Sequence, residues 1–109
     1  MAQNTPTTTK LYTVKICSVS TAHITEEDNE RLERASRRQG AHGLIISYEK
    51  DNGFFVFIDQ DEAMLAALRY HNYSEAFVRL YYMAQAQGCE WMLLDGDGQI
   101  MPGLPTYDW

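Results

Sequence analysis

Most of the short motifs that indicate chemistry are missing from this chain. It contains no GxGxxG or GxxxxGK[ST] phosphate loop and no HExxH pair, and its three histidines are isolated. The two cysteines, Cys17 and Cys89, lack the close spacing of a structural zinc site, so we expect reduced, buried thiols and no metal. Residues 95–99 begin like a calcium loop, but the later glycine and glutamate are absent. We therefore expect no cofactor.

Long apolar runs are also missing, which excludes a membrane span, and the polar first ten residues do not resemble a signal peptide. We expect a cytoplasmic protein. A chain of 109 residues with 45% hydrophobic and 22% charged residues is typical of one globular domain. The composition predicts a flexible arm over residues 1–9, a single α+β domain over residues 10–98, and a tail over residues 99–109.

Basic residues are scarce in the second half of the chain. Residues 1–50 carry seven bases and six acids (+1), whereas residues 51–109 carry two bases and nine acids (−7). An acidic surface repels the phosphates of nucleic acid and attracts a basic protein surface. The charge therefore predicts a protein partner with a basic surface and no direct contact with nucleic acid.

Two β-rich runs joined at Asn52-Gly53 predict a hairpin over residues 44–59, because Asn-Gly suits a two-residue turn. This loop would place Tyr48 opposite Phe57. Because side chains alternate between the two faces of a strand, the pattern predicts one face in the core and one open face. The expected core set is Leu44, Ile46, Tyr48, Phe55 and Phe57, and the expected open set is Phe54, Val56 and Ile58.

The remaining elements follow from capping and periodicity. Residues 10–20 alternate like a strand, and Thr25 with Asp28 predicts the start of a helix that ends near Gly40 and Gly43. A second helical segment over residues 59–71 breaks before Ser74, which caps a further segment to about residue 87, and residues 89–95 read as a last strand. This order predicts a ferredoxin-like βαββαβ sandwich, a four-stranded antiparallel sheet with helices on one face.

The densest group of polar side chains lies where the first strand runs into the first helix. A nucleophile and a base could be drawn from the loop at residues 18–23 together with Cys17 before it, since these residues supply hydroxyl, thiol and imidazole groups. The structural alternative is that these side chains satisfy backbone groups at the helix start and have no chemistry. The candidate residues are Cys17, Ser18, Ser20, Thr21 and His23.

Aromatic residues are abundant, with seven Tyr, four Phe and two Trp, and a chain of this size cannot bury all of them. Exposed Tyr and Trp beside carboxylates are typical anchors of protein interfaces, although a Tyr-rich helix packed on the sheet is an equal alternative. We predict a partner-binding surface from the acidic and aromatic residues of the second half and from the expected open face of the hairpin: Asp95, Asp97, Asp108, Tyr107, Trp109, Phe54, Val56 and Ile58.

The run SVSTAHITEED at residues 18–28 resembles the start of small uncharacterised proteins of bacterial plasmids and prophages, in which a STAHIT phrase follows the first strand. The resemblance covers about a tenth of the chain. It implies an accessory protein of a mobile element, whose neighbours often counter host defence. It supplies no catalytic residues, and it makes Ser20, Thr21 and His23 the positions to test.

These observations favour a non-enzymatic, acidic protein-binding factor. In its concrete form it is an anti-defence inhibitor, of the anti-CRISPR or anti-restriction kind, that covers a basic nucleic-acid-binding surface. The alternative is a small enzyme or ligand-binding domain that uses the loop at residues 18–23. A homodimer that pairs the open faces of two sheets is compatible with either function.

Overall fold

The computed structural model describes residues 9–38 and 47–109, which form an α+β fold of four strands and three helices. The predicted arm up to Thr8, the helix-ending Gly40 and Gly43, and the predicted core residues Leu44 and Ile46 lie outside the described residues. In chain order the elements are β1 (Ile16–Ser20), α1 (Glu26–Arg38), β2 (Ser47–Lys50), β3 (Gly53–Phe57), α2 (Ala63–Tyr70), α3 (Glu75–Ala86) and β4 (Trp91–Asp95).

The strands form one sheet in the order β1-β4-β3-β2. β3 is antiparallel to both β2 and β4, but β1 and β4 are parallel. The α+β class is confirmed. The all-antiparallel ferredoxin-like sheet is wrong.

The break between α2 and α3 explains the direction of β4. Asn72 takes a left-handed φ of 68°, and Ser74 accepts a hydrogen bond from the amide of Phe77, so a second helix starts. A single helix would carry the chain to the far end of the sheet, whereas two helices carry it out and back. β4 therefore starts beside the end of β3 and runs antiparallel to it. None of the described helices is long and apolar enough to cross a membrane.

The hairpin turn lies one residue earlier than predicted. Asp51 and Asn52 form the turn, Asn52 has a φ of 75°, and Lys50 pairs with Gly53. Tyr48 consequently lies opposite Phe55 rather than Phe57. Gly53 is needed for a different reason from the one predicted, because a Cβ at this position would collide with the carbonyl oxygen of Leu94 on β4.

The core lies on the face of the sheet that we predicted to be open. Phe54, Val56 and Ile58 are buried, together with Met92 and Leu94 of β4, and they pack against buried residues of all three helices. Phe55 and Phe57 are only half-buried on the opposite face. The predicted assignment of the two faces is wrong, because Phe54, Val56 and Ile58 belong to the core and are not exposed as the homodimer prediction requires.

Candidate functional site: a groove beside the STAHIT turn

The segment from Ser20 to Thr25, which we call the STAHIT turn, links β1 to α1 through a single 3₁₀ turn. Ser20 begins this turn, because its hydroxyl accepts a hydrogen bond from the amide of Ala22 at 3.0 Å. Thr25 begins α1. Its hydroxyl accepts from the amide of Asp28 at 3.1 Å, and the Asp28 carboxylate accepts from the amide of Thr25 at 3.0 Å. The predicted cap is confirmed.

The carboxylate of Asp28 also ties α1 to α3. It is fully buried and accepts hydrogen bonds from the amide of Ser74 at 2.8 Å and from the hydroxyl of Ser74 at 2.5 Å. The first turns of two helices thus face one carboxylate, which suits the positive ends of both helix dipoles. The nearby Tyr73 ring is buried, and burial together with the Asp28 charge raises the pKa of Tyr73 to about 12.

His23 is a structural residue in this arrangement. The residue is 1% exposed, Nδ1 lies 2.7 Å from the carbonyl oxygen of Pro105, and Nε2 accepts a hydrogen bond from the amide of Met101 at 2.8 Å. Nδ1 must carry the proton, since a carbonyl only accepts and an amide only donates. Neither nitrogen has a lone pair available to act as a base in this geometry.

The tail folds back along the STAHIT turn. The amide of Ser20 donates to the carbonyl of Gln99 at 3.1 Å, and the amide of Tyr107 donates to the carbonyl of Ala22 at 2.8 Å. The indole of Trp109 donates to the carbonyl of Ile24 at 2.9 Å. The turn and the tail therefore form one structural unit.

A groove of about 480 Å³ lies at the end of the sheet where β1 and β4 finish and where the β2–β3 hairpin turns. It is open on one side and has a mainly polar lining. The STAHIT turn, α1, the hairpin, the loop after β4 and the tail all contribute: Ser20, Thr21, Ala22, Asn29, Glu33, Glu49, Lys50, Asn52, Gly53, Phe54, Gly96, Tyr107, Asp108 and Trp109.

The lining of the groove is acidic and partly aromatic. Glu33, Glu49 and Asp108 line it, and Lys50 is the one basic residue among its described lining. Lys50 Nζ lies 3.6 Å from Asp95 Oδ2, so its charge is already largely balanced. The aromatic side chains of Tyr107 and Trp109 are 37% and 49% exposed, so both rings remain available for contact.

A family model described as the C-terminal domain of a family of unknown function (DUF5983) matches residues 16–109. The chain belongs to this family. No curated protein and no solved structure matches it. The DUF5983 match begins at Ile16, where β1 begins, and it includes the tail that lines the groove.

The structure brings together part of each predicted site. The predicted partner-binding residues Tyr107, Asp108 and Trp109 line the groove of this DUF5983 domain. Asp95 and Asp97 flank Gly96, another residue of the lining, and Asp97 accepts a 3.4 Å hydrogen bond from the Asn52 side chain. Phe54 contributes to the groove floor but is buried, as are Val56 and Ile58.

The predicted loop at residues 18–23 divides between the groove and other surroundings. Ser20 and Thr21 line the groove, whereas Ser18 is exposed on β1 away from it. Cys17 is half-buried, and burial together with a hydrogen bond to Cys89 raises the pKa of its thiol to about 12. Over residues 9–38 and 47–109, no three His, Cys, Asp or Glu side chains are placed to hold a metal ion.

Eight lining residues were not predicted as site residues: Ala22, Asn29, Glu33, Glu49, Lys50, Asn52, Gly53 and Gly96. A usable signal exists for two of them, because Thr25, Asn29 and Glu33 are spaced by four residues and share one face of α1. That face begins at the cap of the STAHIT turn. Glu49 and Lys50 depend on the position of the hairpin turn, which the Asn-Gly pair misplaced.

Proposed function

We propose that this protein is a non-enzymatic, acidic binding factor that attaches to a basic surface of another protein. The observation that carries the proposal is the concentration of carboxylates at one end of the sheet. This acidic end comprises six residues that line the groove or directly adjoin its lining: Glu33, Glu49, Asp51, Asp95, Asp97 and Asp108.

The acidic end matches the charge asymmetry of the chain. Glu49, Asp51, Asp97 and Asp108 are exposed, so they can steer a positively charged partner at long range. Complementary charge of this kind raises the rate of encounter, while half-exposed aromatic rings supply contact area. Tyr107 and Trp109 lie beside the carboxylates, which supports one continuous binding surface rather than scattered charge.

The biological setting in this proposal comes from the STAHIT resemblance. An accessory protein of a bacterial mobile element would act in the cytoplasm, and a basic nucleic-acid-binding surface of a host nuclease or CRISPR complex is a suitable target. An acidic protein that covers such a surface competes with the phosphates of nucleic acid. In this form the protein is an anti-defence inhibitor.

The test is an affinity pull-down from bacterial lysate, treated with nuclease, using a tag placed before residue 1 because the tail lines the groove. The triple variant Glu49→Lys, Asp97→Lys, Asp108→Lys reverses exposed charges at the acidic end. The matched control, Glu27→Lys with Glu30→Lys and Glu62→Lys, reverses three exposed acids elsewhere. We expect the triple variant to lose a stoichiometric partner that the control retains. Equal recovery with both variants would contradict the proposal.

One observation favours a second candidate, a small ligand-binding domain. Ser20 and Thr21, both from the loop at residues 18–23, line a groove large enough for a small molecule. Catalysis with His23 as the base has no support from the geometry, since both ring nitrogens are engaged by backbone groups. Binding of a small polar ligand, without chemistry, is the form of this alternative that the groove supports.

A further inference from the structure

The groove presents two aromatic side chains whose positions are held by the STAHIT turn. The indole of Trp109 is fixed by its hydrogen bond to Ile24, and the backbone of Tyr107 is fixed by its hydrogen bond to Ala22. About half of the Trp109 surface remains exposed. A ring held in place loses little conformational entropy when a ligand packs on it.

Carboxylates lie around the same space. Glu49 and Asp108 are exposed and have no ion-pair partner among the described residues, whereas Glu33 is 3.3 Å from Arg37. The lining has three carboxylates and one ammonium group, which is a formal charge of −2. Aromatic rings beside carboxylates attract a cation both by cation–π interaction and by direct charge.

The floor of the groove adds an unused donor. Ser20 is 3% exposed and its hydroxyl accepts from Ala22, but the hydroxyl proton has no acceptor among the described residues. Ser20 belongs to the groove lining, so this proton can be donated to a bound carbonyl oxygen. A peptide provides such a carbonyl on either side of a charged side chain, whereas a simple inorganic cation does not.

We infer that the groove is the receptor for one basic side chain, arginine or lysine, presented by a peptide segment of the protein partner. This inference rests on the proposed function and identifies the point of attachment within the acidic end. The guanidinium or ammonium group lies between Glu49 and Asp108 against the Trp109 ring, and Ser20 donates to the peptide backbone. A volume of about 480 Å³ accommodates an arginine side chain with its flanking peptide.

The test is a titration of the full chain with the blocked peptide Gly-Gly-Arg-Gly-Gly, followed by two-dimensional ¹H–¹⁵N NMR. The reporters are the indole N–H of Trp109 and the backbone amides of Thr21 and Ala22. The comparison peptide carries citrulline, which has the shape of arginine without its charge. We expect saturable shifts at the groove with the arginine peptide, and binding about tenfold weaker with the citrulline peptide.

Conservative variants then locate the binding. The double variant Glu49→Gln, Asp108→Asn removes two charges without changing side-chain size. We expect it to lower the affinity for the arginine peptide about tenfold. The control is Glu62→Gln, because Glu62 is an exposed acid away from the groove. This variant should bind the arginine peptide with unchanged affinity. Equal binding of the arginine and citrulline peptides, no shifts at the reporters, or unchanged affinity in the double variant would each overturn the inference.

Two further results separate this inference from the proposed function. If the double variant Glu49→Gln, Asp108→Asn retains the partner in the pull-down while the triple charge reversal loses it, the proposed function stands and the groove is not the attachment point. If the groove binds the arginine peptide but no lysate partner is found, the groove inference stands alone. Tighter binding of spermidine than of the arginine peptide would assign the groove to free polyamines and overturn the inference.

Discussion

The buried carboxylate of Asp28 allows the packing of α1 against α3 to be tested with one substitution. It accepts hydrogen bonds from the amide of Thr25, the amide of Ser74 and the hydroxyl of Ser74. Asp28 is 0% exposed. The substitution Asp28→Ala removes the acceptor of all three hydrogen bonds. We expect this variant to be strongly destabilised although Asp28 lies outside the groove.

The magnitude follows from the three lost acceptors. A buried donor left unsatisfied costs about 1–3 kcal/mol, and loss of a helix cap costs about 1 kcal/mol. Thr25 and Ser74 are only partly buried, so water can replace some of these bonds. We therefore expect Asp28→Ala to lower the free energy of unfolding by about 3 kcal/mol. Asp28→Asn keeps one acceptor oxygen and should lower it by about half as much, roughly 1.5 kcal/mol.

Urea unfolding followed by circular dichroism measures these differences. Glu30→Ala, an exposed acid on the same helix, is the control and should change the free energy by less than about 0.5 kcal/mol. A double-mutant cycle with Ser74→Ala should give a coupling energy of at least about 1 kcal/mol, because the two side chains share a direct contact. The reasoning is refuted if Asp28→Ala costs no more than Glu30→Ala, or if the two substitutions are additive.

Local features of the fold could be predicted because their signals lie within a few residues. The Thr25–Asp28 pair and the cap at Ser74 were recognised from spacing alone, and both make the expected hydrogen bonds. Gly88 follows α3 with a left-handed φ of 73°, a conformation that glycine commonly adopts just after a helix. In each case the residue that caps or ends the helix lies within three residues of the backbone group or helix end on which it acts.

The sheet could not be predicted in full, because its direction and its buried face depend on distant contacts. The sequence shows the helix break before Ser74 but not its consequence. Because of the break, α2 and α3 return the chain to the same end of the sheet, and β4 therefore runs antiparallel to β3. The buried face was ambiguous because the hairpin is apolar on both sides. Phe54 is buried and Phe55 half-buried, a difference that arises only when the helices pack.

The candidate site shows the same division between local and distant information. Composition identified the acidic and aromatic tail, and a local polar cluster identified Ser20 and Thr21, but nothing in the sequence indicated that the two adjoin. The tail is joined to the turn by backbone hydrogen bonds and also by His23, whose ring nitrogens contact backbone groups 82 and 78 residues away in the chain. One sequence provides no signal for such a pairing, so the sequence alone leaves His23 as a candidate base.

Two further predictions concern groups with raised pKa values. The pKa of Cys17 is raised from 9.0 to about 12 by burial and by Cys89, so at pH 8 the native protein should react with iodoacetamide at Cys17 at least about tenfold more slowly than the urea-unfolded chain. Equal rates, measured by mass spectrometry, would contradict this. The pKa of Tyr73 rises from 10.0 to about 12 on folding, chiefly through burial, so the folded state holds this proton more tightly. The resulting stability is complete below pH 10 and is lost as the pH rises towards 12. Between pH 9 and pH 11.5, the free energy of unfolding of Tyr73→Phe should therefore fall less than that of the wild type, as measured by urea unfolding. Parallel decreases in the two proteins would show that Tyr73 does not titrate as argued.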